Sequence, residues 1–174
     1  MGFQSSVNIH YAPAVAGDFA SANPRFSVLA GPNSLVAGVG GVLIAAFAWA
    51  AAYGSVDPET GENDALNTVT NAGSGVPTGF VHREGQALIT AFLADSGNVI
   101  QQGSMVTLAS GGDFWIKNTG AGAASYGQKV FASNTTGLAQ TAAAGATVAG
   151  YTETKWYVAS TAAAGELFKM TDHF

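Results

Sequence analysis

His10, His82 and His173 are the imidazoles of this chain, and eleven aspartates and glutamates are its carboxylates. The histidines stand far apart and in no zinc-like spacing. The best acid–base candidate is the stretch FVHRE, where His82 and Glu84 are two residues apart. Alternate residues of a strand share a face, so the two can meet. Such a pair could serve as a general base with its carboxylate, but an exposed surface pair is the simpler reading. Asp57, Glu59, Glu62 and Asp64 lie close together beside Pro58 and Gly61. Calcium takes oxygens of this kind, yet the stretch lacks the fixed spacing and terminal bidentate Glu of an EF-hand loop. It reads as a solvated turn. GVGGVL, from Gly38 to Leu43, fails the dinucleotide-binding pattern because Leu43 stands where the last glycine is needed. No nucleophile elbow and no phosphate-binding loop occurs. Glycosidase carboxylates would have to stand about 5–9 Å apart, and sequence alone cannot place them. The expectation is a chain without catalytic residues, cofactor or metal site.

The elements that would carry these residues are short. The chain has 174 residues, and 48% of them are hydrophobic, but only 10% are charged, against ~25% in an average soluble domain. A monomer keeps itself soluble with charge, so a chain this poor in charge is expected to hide surface against neighbours or lipid. The net charge is −5, and the basic residues Arg25, Arg83, Lys117, Lys129, Lys155 and Lys169 are scattered singly. Nucleic acid requires a basic footprint that displaces counterions, so no nucleic-acid partner is expected. Cysteine is absent, which removes disulfides and thiolate sites and fits a chain made in a reducing cytoplasm. The first residues lack a basic segment followed by an apolar run, so a signal peptide is not expected.

Residues 1–25 contain Pro13 and Pro24 and no helical stripe. Proline favours extended backbone around itself, and Val7, Ile9, Tyr11 and Val15 fall at even spacings, as on one face of a strand. These residues are expected to form an extended arm lying on a neighbour or on its own domain. Residues 26–174 are expected to form one β-rich domain. The uncharged run around VAGVGGVLIAAFAWAAAYG, Val36–Gly54, passes a crude count for a membrane span. Its content argues otherwise: Gly38, Gly40 and Gly41 each cost ~1 kcal/mol in a helix, and Phe47 and Trp49 alternate with alanines as in a strand. A turn followed by a strand from about Val42 to Tyr53 is expected.

Three later stretches read as hairpins. In SMVTLASGGDFWIKN, Gly111-Gly112 would be a two-residue turn placing Leu108 opposite Trp115 and Ala109 opposite Phe114. In QKVFASNTTGLAQT, Asn134 and Gly137 suit the ends of a type I turn. ETKWYVASTAAAGELFKMT gives two strands around a small-residue loop. Between Lys129 and Glu153, 23 uncharged residues could be hairpin loops or a close-packing surface in an assembly. Short strands with Gly-rich turns indicate a mainly β fold, an antiparallel β-sandwich or barrel.

YAPAVAGDFASANPR (Tyr11–Arg25), SVLAGP (Ser27–Pro32), FAWA (Phe47–Ala50), PTGFVHRE (Pro77–Glu84), ALIT (Ala87–Thr90) and GDFWIKNTG (Gly112–Gly120) resemble the tailed-phage structural cement, or head decoration, proteins. The resemblance runs to about Gln128 and has no catalytic content. It implies a β-rich, jelly-roll-like protein on the outer surface of the head, bridging major capsid protein subunits and stabilising the shell as a dimer or trimer. It also implies localisation in the virion, with no membrane partner. The residues singled out for interaction are Tyr11, Phe19, Arg25, Phe47, Trp49, His82, Arg83 and Trp115. The arginines could pair with capsid carboxylates or within the chain, and the large aromatics could equally be core. Two other readings follow from the residues: a membrane or pore-forming protein carried by residues 36–54, and a small hydrolase or carbohydrate-binding β-module.

Overall fold

The computed structural model describes residues 14–30, 34–50, 68–84 and 97–173. Every regular element among them is a strand: β1 (Phe26–Ser27), β2 (Val36–Ala37), β3 (Val42–Leu43), β4 (Ala46–Ala50), β5 (Thr68–Thr70), β6 (Gly79–Val81), β7 (Val99–Ile100), β8 (Leu108–Gly111), β9 (Phe114–Lys117), β10 (Lys129–Ser133), β11 (Ala139–Ala142), β12 (Tyr151–Val158) and β13 (Leu167–Thr171). They form a six-stranded sheet in the order β1-β8-β6-β4-β5-β2, a five-stranded sheet in the order β11-β10-β12-β13-β9, and the small pair β3-β7. Pairing is antiparallel apart from β2 with β5. Among the described residues no sheet closes into a barrel, and the arrangement is a β-sandwich.

Period-two alternation explains the layers. Phe47 of β4 pairs with Phe80 of β6, and Phe80 pairs with Ala109 of β8. All three face the five-stranded sheet, in a core shared with Phe114, Ile116, Val130, Trp156, Phe168 and Met170. One residue along, Ala48, Val81 and Leu108 face the opposite way, into a second core with Leu35, Val42, Val69, Ile100 and Val106. The six-stranded sheet is therefore buried on both faces near its centre. Rings run from one sheet to the other: Trp156 to Phe47 at 5.3 Å, Phe47 to Phe80 at 5.4 Å and Phe80 to Phe114 at 5.0 Å. Each buried Phe contributes about 1.5–3 kcal/mol by leaving water, and such ring pairs add about 0.5–1.5 kcal/mol.

The uncharged run divides among β2, β3 and β4 instead of forming one strand from Val42. Ala45, at φ 61°, breaks it between Leu43 and Ala46, and residues 51–54 lie outside the described residues. Among the described residues no helix is long and apolar enough to cross a membrane. The acidic stretch from Asp57 to Asp64, the motif at Ala87–Thr90 and the arm residues Val7, Ile9 and Tyr11 also lie outside them.

The expected hairpin at Gly111-Gly112 is not formed. β8 pairs with β1 and β6 in one sheet, while β9 pairs with β13 in the other. Leu108 opposes Val81 and Ala109 opposes Phe80; Trp115 opposes Lys169 and Phe114 opposes Met170. The two glycines carry the chain across from sheet to sheet. Ala109 and Phe114 do share a core, but they reach it from facing sheets. The corner's polar groups are satisfied by side chains: Gly112 N donates to Asp172 Oδ1 at 2.7 Å, and Trp156 Nε1 donates to the Gly112 carbonyl at 3.3 Å.

The other two hairpins form. β10 and β11 pair with Phe131 opposite Gln140 and Ala132 opposite Ala139, so the uncharged stretch after Lys129 does contain a hairpin. Its turn is one residue wider than the type I turn expected, because Gly137 N donates to the Ser133 carbonyl at 2.9 Å. β12 and β13 pair with Val158 opposite Met170. The β10–β11 turn also reaches the other sheet: Phe47 N donates to the Gly137 carbonyl at 2.8 Å, and Gly73 N donates to the Asn134 carbonyl at 2.9 Å.

Candidate functional site

Residues 16–20 lie along the free side of β9. Gly17 N donates to the Trp115 carbonyl at 2.7 Å, Trp115 N to the Asp18 carbonyl at 2.9 Å, and Ala20 N to the Asp113 carbonyl at 2.9 Å. On the other side, Arg83 N donates to the Gly17 carbonyl at 2.9 Å. The segment thus bridges β9 of one sheet and the residues after β6 of the other. Each backbone bond contributes about 0.5–1.5 kcal/mol net, enough together to fix the segment on its own domain.

Four of the residues singled out from the sequence meet here. The Phe19 ring lies 5.1 Å from His82 and 5.6 Å from Phe114, and the Arg25 guanidinium lies over the Phe19 ring, 3.9 Å from its centroid. A cation over an aromatic face is attracted by the ring quadrupole. Arg83 donates from Nε to the Ala16 carbonyl at 3.2 Å and from Nη2 to Asn98 Oδ1 at 3.1 Å, and Nε is 3.8 Å from Asp18 Oδ1. These arginines are therefore engaged within the chain. Trp115, a fifth, joins the segment through its backbone, and its half-buried ring has Lys169 Nζ 5.1 Å from its centroid. It lines an open cleft of about 540 Å³ with Ser160, Thr161, Gly165, Glu166 and Leu167.

His82 does pair with Glu84, at 2.9 Å from Nε2 to Oε1. It is not the exposed pair that its sequence suggested: His82 is buried, and its Nδ1 has no hydrogen-bond partner among the described residues. Burial lowers its pKa; Glu84 opposes this and Arg25 reinforces it. Burial thus favours the neutral imidazole, which packs against the Phe19 and Phe114 rings.

Phe47 and Trp49 lie in the inter-sheet core, Phe47 fully buried. Trp49 Nε1 donates to the Gly75 carbonyl at 3.1 Å. Tyr11 lies outside the described residues.

Asp113 was not legible as important, yet it anchors the segment. Its Oδ2 accepts hydrogen bonds from Ser21 Oγ and Asn23 Nδ2, both at 2.6 Å. Burial pushes its carboxyl up, but the Ser21, Thr171 and Asn23 hydroxyl and amide groups, helped by His173, outweigh burial and hold it below its ordinary value.

A two-sheet sandwich whose rings fill the interior, and whose functional candidates are engaged in holding a terminal segment to the sheets, has the character of a structural protein. The chain belongs to the XM1 gp53 minor capsid protein family, whose sequence model matches residues 3–171. That makes it a phage capsid-associated structural protein of the virion. A solved chain from "The capsid of Myoviridae Phage XM1" has a similar fold, with a TM-score of 0.52 and 17% identity over 99% of this chain and 98% of that one. No curated protein matches the sequence.

Proposed function

We propose that this chain is a cement protein: it binds the outer surface of the head, bridges major capsid protein subunits and resists their separation, without catalysing a reaction. The observation that carries this reading is the family match over residues 3–171. Exposed apolar side chains near β1 support it. Leu29 is 90% exposed, Met105 70% and Phe26 55%, beside a shallow groove of about 230 Å³ lined by Val28, Ala30, Leu35 and Val106. Contiguous exposed apolar surface marks interaction sites. Specific interfaces bury roughly 1,200–2,000 Å², and many copies on a lattice multiply weaker contacts.

The arm is part of the proposal. Residues 1–13 reach over a capsid or sibling subunit, where extended backbone can add to a sheet edge, and residues 14–25 tether them to the domain. Because the tether pairs with β9, a truncation that keeps the domain intact must stop before Ala14. The test is co-sedimentation of the purified chain with heads that lack it, together with the heat resistance of those heads. The full chain should bind saturably and raise the temperature of head rupture, and the chain without residues 1–13 should bind more weakly at an unchanged melting temperature. Equal occupancy for both forms would remove the arm from the account; no binding by either would remove the cement role.

One observation favours a second reading, glycan binding: the cleft beside Trp115, where a ring and the carboxylate of Glu166 lie together. Binding of sugars that disappears in Trp115→Ala would support it.

A further inference from the structure

The register of β9 with β13 sets Phe114 opposite Met170. Continuing it brings the residues before β9 alongside those after β13. Asp113, Asp172 and His173 meet there, and each offers one ligand atom such that all three lie within 4.8 Å of one another. Asp113 is only 9% exposed. Its Oδ2 is taken by Ser21 and Asn23, whereas Oδ1 is buried and has no hydrogen-bond partner among the described residues. The Thr171 hydroxyl, close enough to help hold the Asp113 carboxyl down, donates to the His173 carbonyl at 3.5 Å. A buried carboxylate oxygen left without a partner is destabilising, and a ligand there would remove that penalty.

We propose that Asp113, Asp172 and His173 form a binding site for a divalent transition cation, with water completing its coordination. Two carboxylate oxygens and one imidazole nitrogen are a donor set suited to Zn²⁺ or Mn²⁺. His173 Nε2 already lies 3.3 Å from Asp172 Oδ1, so a small movement of a half-exposed side chain opens the pair to an ion. The Asp172 carboxylate is oriented by the Gly112 amide, the kind of outer hydrogen bond that holds a metal ligand in place. Lys155 Nζ, 3.5 Å from Asp172 Oδ2 and half-exposed, neutralises the site when no ion is present and competes with one. The ion would tie together three parts of the chain: the crossing from β8 to β9, the end of β13 and, through Asp113, the segment that tethers the arm.

The test uses the full-length, untagged chain treated with chelator and then titrated with Zn²⁺, Mn²⁺ or Ca²⁺ by calorimetry and thermal melting. Zn²⁺ or Mn²⁺ should bind at one ion per chain. At a hundredfold excess over Kd the melting temperature should rise by roughly 5–10 °C. His173→Ala, which removes a half-exposed side chain, should weaken binding at least about tenfold while the chain still folds, as should Asp172→Asn. Lys155→Ala should tighten binding several-fold by removing the competing charge, an effect a purely structural ion pair would not give. Absence of saturable heat with both Zn²⁺ and Mn²⁺, whatever Ca²⁺ does, or binding unchanged in His173→Ala, overturns the proposal.

Discussion

Replacing Gly137 by alanine tests whether the β10–β11 turn is a true contact between the sheets. Gly137 adopts φ 69°, and a Cβ built there runs into the Phe47 carbonyl oxygen, with the Phe47 carbonyl carbon and nitrogen at 3.1 and 3.2 Å. Three effects combine. The left-handed backbone costs an alanine about 1–2 kcal/mol. Forcing a methyl into a filled space costs about 1–3 kcal/mol. Pushing the turn away weakens the 2.8 Å bond from Phe47 N to the Gly137 carbonyl, about 0.5–1.5 kcal/mol. The loss of unfolded-state freedom returns about 0.4–1 kcal/mol, leaving a net destabilisation of about 4 kcal/mol. For a chain of this size that is a fall of roughly 8–16 °C in melting temperature. Gly150 is the control: it has φ 76°, and none of the described residues lies within 4 Å of its would-be Cβ. Gly150→Ala bears the backbone cost without the clash, so it should lose no more than about 2 kcal/mol. Urea titration of both variants is the assay. Equal losses would mean that the turn does not press on β4, and the inter-sheet docking described above would be wrong.

Asp113→Ala removes the acceptor of Ser21 and Asn23, and hydrogen bonds to a charged group are worth about 1.5–3 kcal/mol; hydrogen exchange should speed up at Gly17 and Ala20 while β10 and β12 stay protected. Acid should destabilise the fold in two stages. His82 is depressed by burial and Asp113 by its donors, so each contributes stability that is complete above its ordinary value and is lost as pH falls from that value through the folded one. The first loss therefore begins below about pH 6.5 and the second below about pH 4; His82→Gln should abolish only the first in melting curves recorded against pH. Leu29→Ser should leave the melting temperature unchanged, because Leu29 is exposed, and should weaken co-sedimentation with heads.

Much of the fold could be read from alternation and turns. Phe47 and Trp49, alternating with alanines, did indicate a strand with its large residues on one face, and Gly137 did mark a hairpin turn. What remained hidden depended on pairing between distant residues. Gly111-Gly112 satisfies the local rule for a two-residue turn, and nothing in the neighbouring residues shows that Phe114 finds its partner at Met170 rather than at Ala109. That one misplacement concealed the Asp113–Asp172–His173 cluster, because its members become neighbours only when β9 pairs with β13. Phe19, Arg25, His82 and Arg83, which the sequence singles out for interaction, do meet. Their use within the chain, to hold the arm's tether, depends on backbone bonds that residue types do not encode. His82 looked exposed because the rings that cover it, Phe19 and Phe114, come from distant parts of the sequence.

Electron cryo-microscopy of heads incubated with and without the purified chain tests the central claim most directly. The cement role predicts added density on the outer surface, fitted by the two-sheet sandwich and lying across boundaries between major capsid protein subunits. Density confined to the interior or to the tail vertex, or no added density at saturating protein, would contradict it.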